Sequence, residues 1–142
     1  MSLFGTGIAV VTTKYKGQSF GITINSFCSV SLDPPMILYC IDKNANRFTQ
    51  LCNTEKFFIN ILSSDQKDIS IAFSKNDKKK WSTALDNDLK IDGSCCALEC
   101  ETKHRYEGGD HKIIVAKVCH CLSKNESLSP LIYHKSNYCY LK

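Results

Sequence analysis

Apolar and polar side chains alternate with a period of two near the start of the chain, a pattern typical of β-strands. Residues 7–13 form an apolar, β-branched run, and residues 18–25 follow after the short polar stretch 15–17. In the second run, apolar residues alternate with small or polar ones. Two such runs joined by a short turn containing glycine predict a β-hairpin.

Five later stretches also have the length and composition of strands. The continuous apolar run that follows Pro34-Pro35 predicts a central, buried strand. A Gly108-Gly109 turn precedes another strand, and the last two stretches predict a pair. These strands are expected at residues 36–41, 57–62, 112–122, 130–134 and 138–141.

The clearest alternation of the chain lies at residues 96–107. Charged residues occupy every second position from Glu99 to Glu107, so one face of this strand is expected to be wet. The opposite face is expected to be buried, and it is formed by Cys96, Leu98, Cys100, Thr102, His104 and Tyr106.

Two short helices are predicted from spacings of three and four residues. Phe48, Leu51 and Cys52 form the apolar face of the first helix, and Asn44 or Asn46 is expected to cap it. The second helix has its apolar face at residues 69, 72 and 73. Before it, Ser63 and Gln66 have the spacing of a capping box.

With 142 residues, the chain is expected to fold as one domain over residues 1–142. Six or more mostly antiparallel strands with two short flanking helices indicate a mainly β fold. A small closed antiparallel β-barrel fits better than an open sheet, because closure removes exposed strand edges.

Charge and hydropathy exclude several kinds of partner. The net charge is only +4, and the lysine run at residues 75–80 adjoins a single aromatic, Trp81, so a solvated loop is favoured over a nucleic-acid surface. We predict no membrane span, and the apolar patch at residues 8–11 lacks the length and basic leader of a signal peptide. A cytoplasmic location is therefore expected.

The nine cysteines are an odd number, which favours reduced thiols over a disulfide framework. Cys95, Cys96, Cys100, Cys119 and Cys121 fall in two groups, with histidines nearby. Their spacing differs from the Cys-x2-4-Cys turns of structural zinc sites, and we expect no bound metal.

Three segments, in this order, resemble the flavin reductase-like proteins of the FMN-binding split-barrel family. They are FGTGIAVVTT at residues 4–13, GITINSFCSVSLDPP at residues 21–35 and Gly109-Asp110-His111. The resemblance runs from Phe4 to about Tyr140 and implies a split β-barrel of Greek-key type. A Rossmann fingerprint does not fit, because Val10 stands where its third glycine is needed.

The resemblance implies that residues 23–29 lie along the ring of a bound flavin. Short polar side chains bring the backbone close to a ligand, and Phe27 can supply an apolar wall. On residue types alone, a polar turn between two strands is the alternative. The implied flavin contacts are Thr23, Ile24, Asn25, Ser26, Phe27 and Ser29.

The flavin phosphate is implied to lie at residues 42–48, before the first helix. A helix N-terminus offers unpaired amides and the positive end of a dipole, and basic side chains add charge. Many relatives carry serine and threonine in this segment, where this chain has Asn-Ala-Asn-Arg. The implied phosphate contacts are Lys43, Asn44, Asn46, Arg47 and Phe48, with Lys80 as a further candidate.

For His111, the resemblance implies a place beside the flavin, facing the nicotinamide nucleotide. It is the candidate catalytic and substrate-binding residue, because its ring can hydrogen bond to a carboxamide or phosphate without acting as an acid or base. Tyr133 is a second candidate for the same pocket. From the residues alone, His111 can equally be a polar residue at a strand end, and Tyr133 a core aromatic.

The implied function is an NAD(P)H-dependent flavin reductase, in which hydride passes from NADH or NADPH to N5 of FMN or FAD. A homodimer and a monooxygenase that receives the reduced flavin are the implied partners. The alternatives are a flavin-binding or carrier module and a related oxidase of the same barrel type. Relatives usually carry a helix before the first strand, and this sequence starts almost at that strand, so we expect dimer packing to differ.

Overall fold

The computed structural model describes residues 1–141, and antiparallel strands dominate it. The strands are β1 (Thr6–Gly7), β2 (Ala9–Tyr15), β3 (Gln18–Ile24), β4 (Cys28–Leu32), β5 (Pro35–Asp42), β6 (Lys56–Ile61), β7 (Cys96–Gly108), β8 (His111–Lys124), β9 (Ile132–His134) and β10 (Asn137–Cys139). The helices are α1 (Phe48–Asn53), α2 (Lys67–Ser74) and α3 (Lys78–Trp81), and 3₁₀ turns lie at Ser64–Gln66 and Ser82–Ala84.

Seven strands form the main sheet in the order β3-β2-β6-β7-β8-β5-β4, and β1-β9-β10 form a small second sheet. The predicted hairpin is confirmed as β2 and β3, which pair from Ala9–Ile24 to Tyr15–Gln18. The apolar run after Pro34 is confirmed as an interior strand, β5, between β4 and β8. The mainly β class is therefore confirmed.

The strand ladders leave β3 and β4 as the two edges of the main sheet, and no ladder among residues 1–141 joins them. The strand pairing therefore does not confirm the predicted closed barrel. A side-chain contact links this side of the sheet to β5. Ser26, just after β3, donates its hydroxyl to the carbonyl of Cys40 and accepts a hydrogen bond from the Cys40 amide, both at 3.0 Å. Ser26 thus ties the end of β3 to β5 without a ladder.

Both predicted helices are present, but the predicted asparagine cap of α1 is wrong. Arg47 occupies the N-cap position and makes no capping hydrogen bond with its side chain. The Asn44 amide instead donates to Asp42 Oδ1 at 2.8 Å. The capping box of Ser63 and Gln66 is confirmed at the 3₁₀ turn before α2.

The alternation on β7 is confirmed at Cys100 and Thr102, which are buried, and wrong at His104 and Tyr106, which are exposed. The ladder to β8 shifts between Thr102 and His104, and this irregularity exchanges the two faces of the strand. Beyond it, Arg105 points inward, and its guanidinium donates to the carbonyl of Cys52 at 2.6 Å.

The core has two clusters. The first lies within the main sheet and includes Tyr39, Phe57 and Ile114. The second lies between the small sheet and the helices and includes Phe73, Trp81 and Leu131, with Phe73 and Trp81 stacked at 5.1 Å between ring centroids. Among residues 1–141, none of the helices has the length and apolarity that a membrane span requires.

Glycine is required at position 21 because α2 packs directly on β3. A Cβ atom at Gly21 would lie 2.5 Å from Cε1 of Phe73, far inside van der Waals contact. The missing side chain lets the ring of Phe73 rest on the strand, and this contact sets the distance between β3 and the C-terminal end of α2.

Candidate functional site

A pocket of about 240 Å³ lies where the approach to α1 meets the end of α2. Its walls are residues 44–47 before α1, residues 74–76 after α2, and Ile22 of β3. Three of the predicted phosphate contacts, Asn44, Asn46 and Arg47, are therefore brought together.

The guanidinium of Arg47 is the most unusual group in this pocket. The residue is only 6% exposed, and Nη1 donates to the carbonyl of Phe73 at 3.2 Å. Within residues 1–141, Nη2 is buried without a hydrogen-bond partner, and no acidic side chain forms an ion pair with Arg47. Burial lowers the pKa of the Arg47 guanidinium from its ordinary value. A buried cation with an unsatisfied donor favours an anion nearby.

The end of α2 supplies residues that the sequence analysis missed. Lys75 and Asn76 line the pocket beside Arg47, which adds a second positive charge and an amide. Asn76 has φ +57°, and the Asp77 amide donates to the Ala72 carbonyl at 2.9 Å, so the chain reverses here as at many helix C-termini. In the sequence, Asn76 follows the apolar positions of the predicted second helix, and an asparagine in such a place is typical of a helix C-terminus.

The Gly109-Asp110-His111 turn lies directly beside Lys43. The Lys43 amide donates to the Asp110 carbonyl at 3.0 Å, and Nζ of Lys43 donates to the Gly109 carbonyl at 2.7 Å. In the β5–β8 ladder, Asp42 is paired with His111. The structure thus brings the predicted nucleotide contact next to the predicted phosphate segment.

An ion-pair network on Glu107 holds this turn to the strand that precedes α1. Glu107 forms salt bridges with Lys43, at 2.6 Å, and with Lys112. The hydrogen bonds from Lys112 and then Lys43 lower the pKa of Glu107 to about 2. The carboxylate is therefore ionised throughout the physiological range.

The His111 ring is partly exposed, with 41% of its side chain accessible. Its Nδ1 lies 2.7 Å from Oδ1 of Asp110, and this hydrogen bond, followed by the charge of His111, lowers the pKa of Asp110. An ionised carboxylate can only accept, so Nδ1 carries a proton, and when the ring is neutral its Nε2 is an acceptor.

In the predicted flavin-ring segment, some side chains are engaged within the fold and others are exposed to solvent. Thr23 donates to the carbonyl of Ser70 on α2 at 2.6 Å, and Ser26 is engaged with Cys40. Phe27 packs against the first core cluster, whereas Asn25 and Ser29 are exposed. Ile24 is buried in the core. The segment therefore offers exposed polar groups on an anchored backbone.

Two predicted site residues lie elsewhere. Lys80 lines a different pocket on the outer side of α2 and pairs with Asp77 at 3.6 Å. Tyr133 is half-buried against the second core cluster, where its ring meets Tyr138 edge-on at 5.4 Å. Neither residue borders the pocket of Arg47.

All nine cysteines carry free thiols. Cys52 and Cys100 are buried, and the other seven are exposed or partly exposed. In the part of the chain that the structure describes, no group of three or more histidine, cysteine or acidic side chains is placed to hold a metal ion.

Comparisons with family models, curated proteins and solved structures all point to the same family. A family model described as "Flavin reductase like domain" matches residues 1–142. The chain is 30% identical to "NADH-dependent FMN reductase AsuE2" of Streptomyces nodosus subsp. asukaensis, and the match covers 100% of this chain and 82% of that protein. A "Flavin-dependent trigonelline monooxygenase, reductase component" of Acinetobacter baylyi is 37% identical over 81% of this chain, which spans only 39% of that relative.

Among solved structures, the "NADH:FAD oxidoreductase SgcE6 in complex with NAD and FAD fragments" of Streptomyces globisporus C-1027 superposes with a TM-score of 0.89. The two chains are 28% identical, and the superposition covers 98% of this chain and 87% of that one. The family resemblance seen in the sequence is confirmed by these matches.

We predict that Glu107→Gln loosens the His111 turn, because it removes both lysine ion pairs. Faster hydrogen exchange of the Lys43 amide, which donates to the Asp110 carbonyl of the turn, is the expected NMR result at neutral pH. Glu126→Gln is the matched control, since it breaks a similar surface pair with Lys124. Unchanged exchange of the Lys43 amide would contradict the role of Glu107.

The same network predicts a pH dependence. The folded-state pKa of Glu107 lies below its ordinary value of 4.5, so its contribution is present above that pH and is lost as the pH falls toward about 2. An NMR titration of the Glu107 carboxyl carbon should have its midpoint near this lower value. A midpoint near 4.5 would show that the ion pairs do not persist in solution.

Proposed function

This chain belongs to the flavin reductase-like family, and on that premise we propose that it is an NAD(P)H-dependent flavin reductase that binds FMN or FAD. The observation that carries the proposal is the buried guanidinium of Arg47, whose Nη2 has no hydrogen-bond partner among residues 1–141, in a pocket near the His111 turn. The relative AsuE2 is named as an NADH-dependent FMN reductase, which supports the same function.

The pocket of Arg47 fits a flavin phosphate. Nη2 of Arg47 would satisfy its missing hydrogen bond on a phosphate oxygen, and a charge-assisted bond of this kind is stronger than a neutral one. Lys75 adds a second positive charge, and Asn44, Asn46 and Asn76 can donate amide hydrogens. We assign the phosphate to these side chains rather than to the six-residue helix α1.

The flavin ring is assigned to residues 25–29. Ser26 holds the backbone against β5, so the exposed groups of Asn25 and Ser29 are presented by an ordered segment. We infer that the sheet closes into a split barrel at this seam, through Ser26 and Cys40 instead of a strand ladder. Ile22 of the phosphate pocket is three residues before Asn25, so one strand leads from one subsite to the other.

His111 is assigned to the nicotinamide nucleotide. With Nδ1 donating to Asp110, Nε2 is free to accept a hydrogen bond from a carboxamide N–H. When bound, the flavin supplies N5 as the hydride acceptor and the nicotinamide supplies the donor. Hydride transfer between the two rings needs no proton-transferring side chain from the protein. Positioning of the nucleotide is therefore the main contribution of His111.

We also infer a homodimer, from an apolar strip on the outer face of the main sheet. Ladder partners share a face, which places Leu38 beside Val115, Cys40 beside Ile113, and Ile113 beside Tyr106. Tyr106 is 52% exposed and Leu38, Cys40 and Ile113 are partly exposed, whereas Val115 is already buried within the chain. A second copy of the chain on this outer strip would remove it from water.

A monooxygenase that consumes the reduced flavin is the inferred partner, because one relative is named as the reductase component of a flavin-dependent monooxygenase. A cytoplasmic location is inferred from the nine free thiols and from the need for NAD(P)H.

We predict that the purified protein bleaches the visible absorbance of FMN when NADH or NADPH is added under anaerobic conditions. Flavin binding without bleaching would indicate a carrier module instead. Turnover only with another substrate and oxygen would indicate an oxidase.

The phosphate assignment predicts the effect of Arg47→Met. Because only FMN carries the phosphate, loss of a charged hydrogen bond should weaken FMN binding about tenfold to a hundredfold and leave riboflavin binding nearly unchanged. Lys80→Met removes a lysine outside the pocket and should affect neither ligand. Fluorescence titration measures both affinities, and equal weakening of FMN and riboflavin by Arg47→Met would contradict the assignment.

The nucleotide assignment predicts the effect of His111→Ala. Removal of one oriented hydrogen bond should lower kcat/KM for NAD(P)H about tenfold to a hundredfold, while FMN affinity and melting temperature stay near those of the wild type. His120→Ala replaces an exposed histidine on the same strand and is the control. A lower melting temperature with normal nucleotide kinetics would show that His111 is structural.

The dimer assignment predicts that Tyr106→Glu yields a monomer, since a charge within the outer strip cannot be buried unpaired. Light scattering should give twice the chain mass of 16.0 kDa for the wild type and 16.0 kDa for the variant. Tyr140→Glu changes a tyrosine of similar exposure, 57%, outside the strip and should leave the dimer intact. A monomeric wild type would overturn the assignment.

A further inference from the structure

Two cysteines outside the proposed site lie close to each other across the β7–β8 ladder. The sulfur atoms of Cys96 and Cys121 are 3.9 Å apart, which is van der Waals contact. Cys121 is exposed and Cys96 is partly buried, so solvent reaches the pair.

The register of the ladder explains their approach. Cys121 lies opposite Leu98, and Cys96 is two residues from Leu98 on the same face of β7, so the two cysteines are diagonal neighbours. The ladder skips Leu122 at an irregularity between Ala97 and Leu98. Leu98 packs against the first core cluster, which places the pair on the inner face of the sheet, opposite the outer strip.

The end of β8 has the freedom that a covalent bond would require. β8 pairs with β5 only as far as Lys117, and from there to Lys124 its ladder partner is β7 alone. A disulfide needs sulfurs about 2.05 Å apart, so closure requires a small movement of this terminal part of the strand.

We propose that Cys96 and Cys121 are a modification site at which hydrogen peroxide forms an intramolecular disulfide. Both thiols are reduced in the resting protein, and oxidation fastens the end of β8 to β7.

The reaction balances with peroxide as the oxidant. The Cys121 thiolate attacks one peroxide oxygen, the O–O bond breaks, and the leaving hydroxide takes a proton to become water, which leaves a sulfenic acid on Cys121. The Cys96 sulfur then attacks the Cys121 sulfur, and the S–O bond breaks with loss of a second water. Two thiols are oxidised by two electrons in total, and one peroxide is reduced to two waters.

The order of the two steps follows from their surroundings. Cys121 is the more exposed thiol and is the one that peroxide reaches first. Burial, followed by the nearby Cys121, raises the pKa of the Cys96 thiol to about 11. Cys96 therefore stays a thiol until Cys121 is oxidised and acts as the resolving group.

The proposed function implies a source of peroxide, and only that source rests on the proposed function. Reduced flavin that reacts with oxygen gives oxidised flavin and hydrogen peroxide, so a flavin reductase working without an acceptor is exposed to that oxidant. The disulfide chemistry itself requires only the two cysteines and peroxide.

The test treats the reduced full-length protein with hydrogen peroxide, blocks the remaining thiols and identifies linked peptides by mass spectrometry. The free-thiol count should fall from nine to seven, with one Cys96–Cys121 peptide that dithiothreitol cleaves. Cys121→Ser should abolish the linkage. Cys119→Ser, which changes an exposed cysteine on the same strand, should preserve it.

Three outcomes would overturn the proposal: nine thiols that persist, a disulfide between two chains, or irreversible oxidation of Cys121 with Cys96 still reduced. A second arm incubates the protein with NADH, FMN and oxygen, with and without catalase. Linkage with added peroxide and none in this arm would refute only the flavin source. FMN bleaching by NADH in protein that forms no linkage would refute the disulfide and leave the proposed function intact.

Discussion

The contact between Phe73 and Gly21 determines how the candidate site is assembled. The ring of Phe73 occupies the space where any other residue at position 21 would place its Cβ, and it stacks on Trp81 on its other side. The carbonyl of the same phenylalanine accepts Nη1 of Arg47. One residue of α2 therefore fixes β3, α3 and the start of α1 relative to one another, and the pocket lies at their junction.

This arrangement explains how a guanidinium can be buried without a carboxylate partner. Arginine stays protonated even when burial lowers its pKa, so its charge is retained at a cost in desolvation. Close packing of Phe73 and the single hydrogen bond to its carbonyl hold the side chain in place, and Nη2 is left unsatisfied. An anion in the pocket would offset both the charge and the missing hydrogen bond, which ties the stability of this region to ligand binding.

Local patterns in the sequence predicted the elements well and their mutual placement poorly. The hairpin, the interior strand β5 and the capping box each depend on neighbours within a few residues. The register shift after Thr102, which turns His104 outward and Arg105 inward, depends on the pairing of β7 with β8 and has no local signal. The predicted asparagine cap failed for a similar reason, because Asp42 captures the Asn44 amide in a turn of its own. The resemblance to a family implied the site segments, and only the fold shows that residues 74–76 lie beside residues 44–47.

The two halves of the site are held by different kinds of interaction, and this difference fits their proposed tasks. Arg47 is buried and held by its hydrogen bond to the Phe73 carbonyl, so the proposed phosphate end of the pocket is rigid. The His111 turn is exposed and fastened to Lys43 and Lys112 by ion pairs on Glu107, which water and salt weaken. A reductase must keep the flavin in register while one nucleotide leaves and the next arrives. In the proposed arrangement, a rigid anchor on one side and a surface-tethered turn on the other would let the nucleotide exchange without disturbing the bound flavin.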